Sequence, residues 1–367
     1  MVVWECDFDR LLDVFVRGVR GVCDVYRFLT FTDVHVLGRF AHFVRLSVVG
    51  NVSTFVVNVI LNYTDVCVIR CKFCAFWRDK SSGYLLNFDD VVKILKYIDY
   101  VYGPVRQVLV QGGINPDVTI EYIEDLFKSI KNSLPHVAIH GLSPLEIHYL
   151  SVRERMSYRE VLDRLKNSGL DSMPGGGGEI LVDNVRRVLS PSKIDSNTWI
   201  RVMEVAHSLG IKTSATMMYG HVENIWERAE HIYKILKLQE KTRGFNSFIA
   251  WNYQPGNTQL DKYVKDLKYP TGPIELLKIV ATARIVFRDL IPHIQASWLT
   301  NGVEIAQIAL LYGADDFGGT LYNEKVIPST GFKMKILTRE DIVKIIRDIG
   351  QIPAERDNFY RVIKIYS

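Results

Sequence analysis

A regular alternation of short apolar runs and longer amphipathic stretches constrains the fold of this 367-residue chain more than any other feature. The apolar runs predict eight strands: Thr54–Leu61, Gln107–Gln111, His136–His140, Gly169–Met173, Lys212–Tyr219, Ser247–Trp251, Ile294–Trp298 and Ala314–Phe317. Between most of them lie helical patterns such as Asp89–Tyr100 and Asn197–Leu209. Such alternation predicts an α/β fold with a parallel sheet. Eight units predict closure into a (β/α)8 barrel of the TIM type, whose active site lies at the carboxyl ends of the strands.

The segments on either side of the predicted barrel have helical spacing. Leu11, Phe15 and Val19 recur on one helical face, and so do Phe40 and Val44. We therefore predict an N-terminal helical cap over residues 1–53 and the barrel over residues 54–337. A C-terminal helical extension over residues 338–367 completes the prediction, with its helix at 339–349.

Three cysteines in one short segment, Cys67, Cys71 and Cys74, indicate a metal centre. Three thiolates can hold three irons of a cubane iron–sulfur cluster and leave the fourth iron open to a small molecule. A structural zinc site usually takes four Cys or His ligands, yet the segment has one Cys-x-x-Cys pair and no His follows before His136. The spacing therefore favours an iron–sulfur cluster over zinc or an unrelated group of thiols.

Composition narrows the classes of partner and compartment. The chain has five cysteines in all and a formal net charge of +4, with no block of Lys or Arg. Few cysteines and an oxygen-sensitive motif predict a reducing cytoplasm. The absence of a basic run argues against nucleic-acid binding. No stretch of about 18 uncharged apolar residues occurs, so we predict neither a signal peptide nor a membrane span.

Glycines and polar side chains follow the predicted strands. The run Gly175–Gly178 could cradle an anion through its N–H groups, but it matches no nucleotide-phosphate motif. Glu179 could either meet a ribose hydroxyl or cap the next helix. His140 and His221 each stand where a strand ends, as either hydrogen-bonded structural groups or functional ones.

Several strings resemble the radical S-adenosylmethionine (SAM) superfamily, in particular its menaquinone and deazaflavin branch. These strings are Asn62-Tyr63-Thr64, Cys71-Lys72-Phe73-Cys74-Ala75-Phe76, Gln111-Gly112-Gly113, Leu142-Ser143-Pro144, Pro174-Gly175-Gly176-Gly177 and Ala215-Thr216-Met217-Met218-Tyr219-Gly220-His221-Val222-Glu223. The resemblance extends from about residue 30 to about residue 362.

Three segments separate the members of that branch. The deazaflavin synthase subunit usually has Thr-Ala-Ala where this chain has Gly176-Gly177-Gly178. Aminofutalosine synthase typically has Leu-Ala-Phe-His-Pro where this chain has Trp251-Asn252-Tyr253-Gln254-Pro255. The latter string and Gln295-Ala296-Ser297-Trp298 are similar to the dehypoxanthine futalosine cyclase family. The two other enzymes of the branch, and a metal-binding protein without catalysis, are the alternatives.

The resemblance implies a [4Fe–4S] cluster on the three cysteines, with SAM at its open iron. By resemblance, the cofactor-binding residues are Phe73, Gln111, Gly112, Gly113, Ser143, Glu179 and Thr216. Gly112-Gly113 is suited to hold the amino group of the methionine moiety through backbone carbonyls. Taken alone the pair could be a tight turn after a strand, but the cysteine segment favours the binding interpretation.

The resemblance also implies the substrate chemistry. A 5′-deoxyadenosyl radical takes the C4′ hydrogen of the ribose of dehypoxanthine futalosine, and the new radical attacks the benzoate ring. The predicted substrate-binding residues are Arg78, Gly176, Gly177, Trp251, Tyr253 and Trp298, with His221 or Glu223 as the base. Either Arg78 or the amides of Gly175–Gly178 are expected to meet the benzoate carboxylate, and the aromatic residues are expected to seal the barrel mouth. An electron donor such as flavodoxin or ferredoxin is the expected protein partner.

Overall fold

Eleven strands form one sheet in the computed structural model, which describes residues 2–264 and 272–366. The predicted domains also include residues 1, 265–271 and 367, which lie outside the described residues. The strands are β1 Val52–Val56, β2 Asn58–Asn62, β3 Gln107–Gln111, β4 Ala138–Gly141, β5 Leu170–Met173, β6 Lys212–Tyr219, β7 Phe245–Asn252, β8 His293–Gln295, β9 Asp316–Gly319, β10 Ile352–Arg356 and β11 Val362–Ile365.

Helices lie between most successive strands, as the sequence pattern predicts. They are α1 Val2–Arg17, α2 Val22–Thr30, α3 Val34–Val49, α4 Phe88–Tyr102, α5 Ile120–Ser133, α6 Pro144–Glu154, α7 Tyr158–Asn167, α8 Asp183–Leu189, α9 Ser196–Ser208, α10 Ile225–Thr242, α11 Asp261–Val264, α12 Pro273–Phe287, α13 Trp298–Asn301, α14 Val303–Ala309 and α15 Arg339–Arg347, with a short 3₁₀ helix at Pro328–Thr330.

The sheet curls back on its first strand. β1 and β2 are two halves of one strand, separated by Val57. β1 pairs with β9 and β2 pairs with β3, all in parallel. Val59 of β2 also bridges Tyr322, just beyond β9. The order from β3 to β9 follows the chain, so the carboxyl ends of these strands meet at one rim. The predicted α/β fold with a parallel sheet that curls into a barrel is confirmed.

Each predicted strand is present, but the seventh is shorter than predicted. β8 ends at Gln295, whereas the apolar pattern continues to Trp298. Ser297 adopts the left-handed conformation with φ of 54°, which ends the extended chain and directs it into α13. Trp298 therefore begins a helix instead of ending a strand.

Three helices, α1 to α3, precede the barrel, in agreement with the predicted helical pattern. α2 packs against α10, and α3 packs against α12. Asp33 caps α3 by accepting hydrogen bonds from the backbone N–H groups of His35 and Val36. Over the described residues, no helix has the length and apolar character needed to cross a membrane.

The C-terminal segment contains more than the predicted helix. After α15, β10 pairs in parallel with β1, and β11 pairs antiparallel with β10. β10 thus lies beside β1 at the amino-terminal end of the barrel, while β3 lies beside β2 further along. The sequence pattern alone missed these strands, because β10 pairs with a strand 300 residues earlier in the chain and β11 is added to β10.

Candidate active site

A cavity of about 370 Å³ extends from the cysteine segment into the barrel. Its wall includes most of the predicted site residues: Cys67, Cys71, Cys74, Phe73, Gln111, Gly112, Gly113, Ser143, Gly176, Gly177, Glu179, Thr216 and Trp251. Its far end is formed by Arg356, Asn358 and Tyr360, which follow β10 or end it. The fold therefore brings residues from distant strand ends around one space, while their individual roles stay predictions.

One arginine, Arg78, holds the cysteine segment by donating to backbone carbonyl groups of the segment. The Arg78 Nη1 group donates to the carbonyl oxygens of Ala75, Phe76 and Trp77 at 2.9, 3.2 and 2.8 Å. Arg78 is exposed and lies away from the cavity wall. Its observed contacts therefore organise the loop, and the structure does not bring it to the position predicted for binding a substrate carboxylate.

The cysteine thiols lie in a protected environment. Burial raises the pKa of the Cys71 thiol to about 11, with Lys193 opposing that shift. Burial likewise raises the pKa of Cys74. A bound metal reverses this, because a coordinating thiol is deprotonated. The sulfurs therefore need a cationic group to be ionised here.

The residues around the thiols fit a cubane cluster. The buried hydroxyl of Ser190 lies beside the sulfur of Cys71, where it can donate a hydrogen bond to a thiolate that binds iron. Among the described residues, no three His, Cys, Asp or Glu side chains converge on a single-ion site. A cubane places its irons at separate corners, so three cysteines can bind three irons without meeting at one point.

Gly112 and Gly113 let the end of β3 pack directly against the cysteine segment. A Cβ atom at Gly113 would overlap the carbonyl oxygen of Val66 and lie 2.8 Å from Cβ of Cys67. The backbone N–H of Gly113 donates to the carbonyl oxygen of Thr64 at 3.0 Å. The absence of a side chain is thus a packing requirement, and it also leaves backbone groups on the cavity wall.

A buried carboxylate connects three strand ends beside this glycine pair. Glu146 Oε1 accepts hydrogen bonds from the Tyr63 hydroxyl at 2.9 Å and from the Gly112 N–H at 3.1 Å. Its Oε2 accepts from the N–H and the hydroxyl of Ser143 at 2.6 and 2.7 Å. Burial raises the pKa of Glu146 in spite of these donors. Sequence reasoning missed Glu146, although Ser143-x-x-Glu146 is a capping-box pattern.

Glu179 lies in an ionic cluster with two cations. Lys193 Nζ donates to Glu179 Oε1 at 2.8 Å, and Arg186 Nη1 lies 3.7 Å from Oε2. Burial opposes ionisation of the carboxyl, but Lys193 and Arg186 hold its pKa below the usual range. The N-cap of the next helix, α8, is Val182, so Glu179 does not occupy the capping position. Lys193 was not predicted, because nothing in its local sequence indicates this pairing.

The glycine run after β5 adopts a conformation that side chains would disturb. Gly177 has φ of 78°, in the left-handed region, and a Cβ at Gly176 would lie 2.8 Å from Gln111 Nε2. Outside the cavity, the Gly176 carbonyl accepts from Trp199 Nε1 at 3.2 Å. The Gly177 carbonyl accepts from Arg186 Nη1 at 2.9 Å. Trp199 and Arg186 thus hold the run on the side away from the cavity, and its other side faces the cavity.

Comparison with known proteins identifies the family to which this chain belongs. Residues 61–235 match the radical SAM superfamily, and residues 242–367 match the CofH/MqnC C-terminal region. A cyclic dehypoxanthine futalosine synthase of Halalkalibacterium halodurans is 37% identical over 98% of this chain and 95% of its own. The chain belongs to the radical SAM superfamily. It is therefore an enzyme that uses a [4Fe–4S] cluster and SAM.

Other radical SAM relatives differ in name. A 5-amino-6-(D-ribitylamino)uracil–L-tyrosine 4-hydroxyphenyl transferase of Methanothermobacter thermautotrophicus is 39% identical over 92% of each chain. Among solved structures, methylornithine synthase (PylB) has a TM-score of 0.70 at 16% identity, covering 94% of this chain and 97% of that one. HydG, a maturase of the [FeFe]-hydrogenase, has a TM-score of 0.74 at 15% identity over 96% and 76%. These two structures share the radical SAM fold.

The predicted base residues lie outside the cavity wall of this radical SAM barrel. His221 is fully buried, and its Nε2 donates to the Met218 carbonyl at 3.0 Å. Glu223 accepts from the Gly220 N–H and the His221 N–H, and from Arg228 Nε at 2.7 Å. Although burial opposes ionisation, His221 and Arg228 lower the pKa of Glu223 to about 2. Both residues stabilise the turn after β6, and neither lines the cavity.

Two of the three aromatic residues predicted to bind substrate, Tyr253 and Trp298, also lie outside the cavity wall. Trp298 is buried, and its indole N–H donates to the Gly319 carbonyl at 2.8 Å. The Tyr253 hydroxyl donates to Asp261 at 2.7 Å and contacts Thr258. They stabilise the loops around the barrel instead of lining the cavity, whereas Trp251 does line it.

Proposed function

We propose that this protein cyclises dehypoxanthine futalosine to cyclic dehypoxanthine futalosine, a step of the futalosine route to menaquinone. The conformation of Gly176–Gly178 carries this proposal. A Thr-Ala-Ala string, usual in the deazaflavin synthase subunit, would place a Cβ 2.8 Å from Gln111 Nε2 and an alanine at a φ of 78°. The glycines therefore suit the cyclase pattern better than that of the deazaflavin synthase subunit.

The similarity of two other segments supports the same choice. Trp251 and Gln295 belong to the strings that resemble the cyclases, and both side chains line the cavity. Gln295 Nε2 donates to Asp316 Oδ1 at 3.0 Å, which holds the amide at the wall. Two cyclic dehypoxanthine futalosine synthases match over nearly the whole chain, the second from Streptomyces coelicolor at 35% identity.

When bound, the cluster and SAM supply a 5′-deoxyadenosyl radical for hydrogen abstraction. In our proposal Cys67, Cys71 and Cys74 hold the cluster. The backbone of Gly112-Gly113 and the carboxylate of Glu179 bind the methionine and ribose parts of SAM. The substrate's C4′ hydrogen would pass to the 5′-deoxyadenosyl radical to give 5′-deoxyadenosine, and the C4′ carbon would bond to the benzoate ring. Loss of one proton, with one electron returned to the oxidised cluster, would restore aromaticity.

The cavity must also exclude water from such a radical. Leu109, Ile249, Phe73 and Trp251 give it apolar surface on several sides. A reduced flavodoxin or ferredoxin, acting in a reducing cytoplasm, remains the proposed electron source. The proton acceptor is not assigned to His221 or Glu223, because neither reaches the cavity.

The test is a comparison of substrates with one preparation of enzyme. The protein is reconstituted with iron and sulfide under anaerobic conditions, reduced with dithionite and supplied with SAM. Dehypoxanthine futalosine should give its cyclic product together with 5′-deoxyadenosine, both measured by mass spectrometry. Turnover only with L-tyrosine and 5-amino-6-(D-ribitylamino)uracil would replace the proposal with the transferase activity.

A further inference from the structure

His140 lines the cavity at a deeper level than the predicted SAM-binding residues. On β4 it pairs in register with Leu109 of β3, two residues before Gln111. Ser143, which carries the predicted SAM contact on the same segment, lies three residues further toward the rim. A ligand atom that reaches His140 therefore lies deeper in the barrel than the predicted SAM-binding residues.

A directed chain of hydrogen bonds leads to this histidine, and it starts at a backbone donor. The N–H of Leu321 can only donate, and it does so to Asn58 Oδ1 at 2.8 Å. That contact fixes the orientation of the Asn58 amide, so its Nδ2 donates to Gln107 Oε1 at 3.2 Å. The Gln107 amide is fixed in turn, with its Nε2 as the next donor.

The second half of the chain determines the hydrogen position on His140. Gln107 Nε2 donates to Asn358 Oδ1 at 2.7 Å, and Asn358 Nδ2 donates to Ser172 Oγ at 2.9 Å. The Ser172 hydroxyl has two acceptors in reach, Asn358 Oδ1 at 3.1 Å and His140 Nδ1 at 2.6 Å. Asn358 Oδ1 has a second lone pair beside the one that Gln107 uses, but its contact with Ser172 is 0.5 Å longer (3.1 against 2.6 Å), so we assign the hydrogen to the shorter contact with His140.

We propose that His140 is held as the neutral tautomer with its hydrogen on Nε2, and donates that hydrogen to an uncharged oxygen of the substrate. This inference rests on the proposed function, which makes a ribose hydroxyl the natural acceptor. Arg356, whose charge acts on His140, is already paired with Asp316, with Nη2 to Oδ1 at 3.1 Å. A carboxylate at this place would therefore lack a free cation. Burial and Arg356 lower the pKa of His140 to about 3, in agreement with a neutral ring.

The tautomer is measured directly by ¹⁵N NMR of the reconstituted protein labelled in histidine, without substrate. The signals of His140 are assigned by their loss in His140→Gln. We expect a non-protonated Nδ1 and a protonated Nε2. A protonated Nδ1 in the wild-type protein would overturn the inference.

An isosteric change in the chain gives a second measurement. In Asn358→Asp the carboxylate can only accept, so the Ser172 hydroxyl turns to it and Nδ1 of His140 must become the donor. We expect Nδ1 to become protonated. An unchanged tautomer in this variant would show that Asn358 and Ser172 do not position the ring.

Kinetics distinguish this inference from the proposed function. His140→Leu should raise KM for dehypoxanthine futalosine about tenfold to a hundredfold, because a buried acceptor loses its donor. KM for SAM should stay unchanged, and His140→Gln, which keeps an N–H at the Nε2 position, should stay within about threefold of the wild type. Wild-type KM in His140→Leu would refute the inference while cyclisation itself stands. If the wild type makes no cyclic product, the proposed function and the ribose acceptor both fail.

Discussion

Lys193 donates from Nζ to Oε1 of Glu179 at 2.8 Å, and the same ammonium lies 5.2 Å from the centre of the Phe73 ring. The pair thus connects the segment after β5 with the cysteine segment, and both side chains are buried. Burial lowers the pKa of Lys193, but Cys71 and Glu179 raise it above its usual range. The ammonium is therefore charged where the cluster is expected.

Replacing Lys193 alone should destabilise the protein more than replacing Lys193 and Glu179 together. We expect Lys193→Met to lower the free energy of unfolding by about 3–5 kcal/mol, because it leaves a buried carboxylate with weaker compensation. The double variant Lys193→Met, Glu179→Gln should recover much of that loss. Urea unfolding of the single and double variants measures both, and equal losses in the two would contradict the coupling.

Cys71 should be essential for chemistry but not for folding. Cys71→Ala should abolish SAM cleavage and cyclisation, because one iron loses its thiolate. Iron and sulfide analysis, together with circular dichroism, separates cluster loss from unfolding. Cys23→Ser is the matched control, since Cys23 is exposed and should leave iron content and activity unchanged. Full cyclisation by Cys71→Ala would refute the cluster assignment.

The two capping boxes of consecutive helices offer a comparison of buried and exposed carboxylates. Glu146→Ala should cost about 3 kcal/mol or more, because it leaves the Tyr63 hydroxyl and the Gly112 N–H buried without an acceptor. Glu160→Ala removes the equivalent residue of the exposed box at Ser157 and should cost much less, because water can replace the lost hydrogen bonds. The free energies of unfolding of both variants, obtained from their urea midpoints and slopes, provide the test. Similar losses of stability in the two variants would contradict this account of Glu146.

The lowered pKa of Glu223 predicts a specific pH dependence of stability. The folded-state pKa is about 2 and the ordinary value is 4.5, so the stabilisation is present above pH 4.5 and is lost as the pH falls toward 2. The difference corresponds to about 3 kcal/mol. Glu223→Gln should therefore be less stable than the wild type at pH 7, with a gap that narrows below pH 4.5. A gap that stays constant down to pH 3 would argue against this linkage.

Trp251 and Trp298 should respond to substitution in different ways. Trp251→Ala opens the cavity wall, so we expect more 5′-deoxyadenosine per cyclised product and little change in stability. Trp298→Phe leaves the buried Gly319 carbonyl without its donor and should cost about 1–3 kcal/mol, with the product ratio unchanged. Product analysis by mass spectrometry and thermal unfolding distinguish the two variants. A higher ratio of 5′-deoxyadenosine to cyclised product in Trp298→Phe would show that Trp298 belongs to the substrate site.

The sequence by itself determined what depends on short-range patterns. The spacing of Cys67, Cys71 and Cys74 predicted the cluster segment, and the alternation of apolar runs predicted the barrel. Both patterns lie within short stretches of the chain, a few helical turns or one strand. Residues that are close in sequence are therefore enough to reveal them. The glycines after β3 and β5 were also visible, because a missing side chain marks close backbone approach wherever it occurs.

Only the tertiary structure decided which side chains reach the cavity. The sequence places His221 and Trp298 at strand ends, where residues of a barrel site are expected, yet each donates to a backbone carbonyl instead. Lys193 and Asn358, which no local pattern marks, enter the site because partners distant in the chain satisfy their polar groups. A buried polar side chain takes the direction that its hydrogen-bond partners allow, and those partners come together only when the barrel closes.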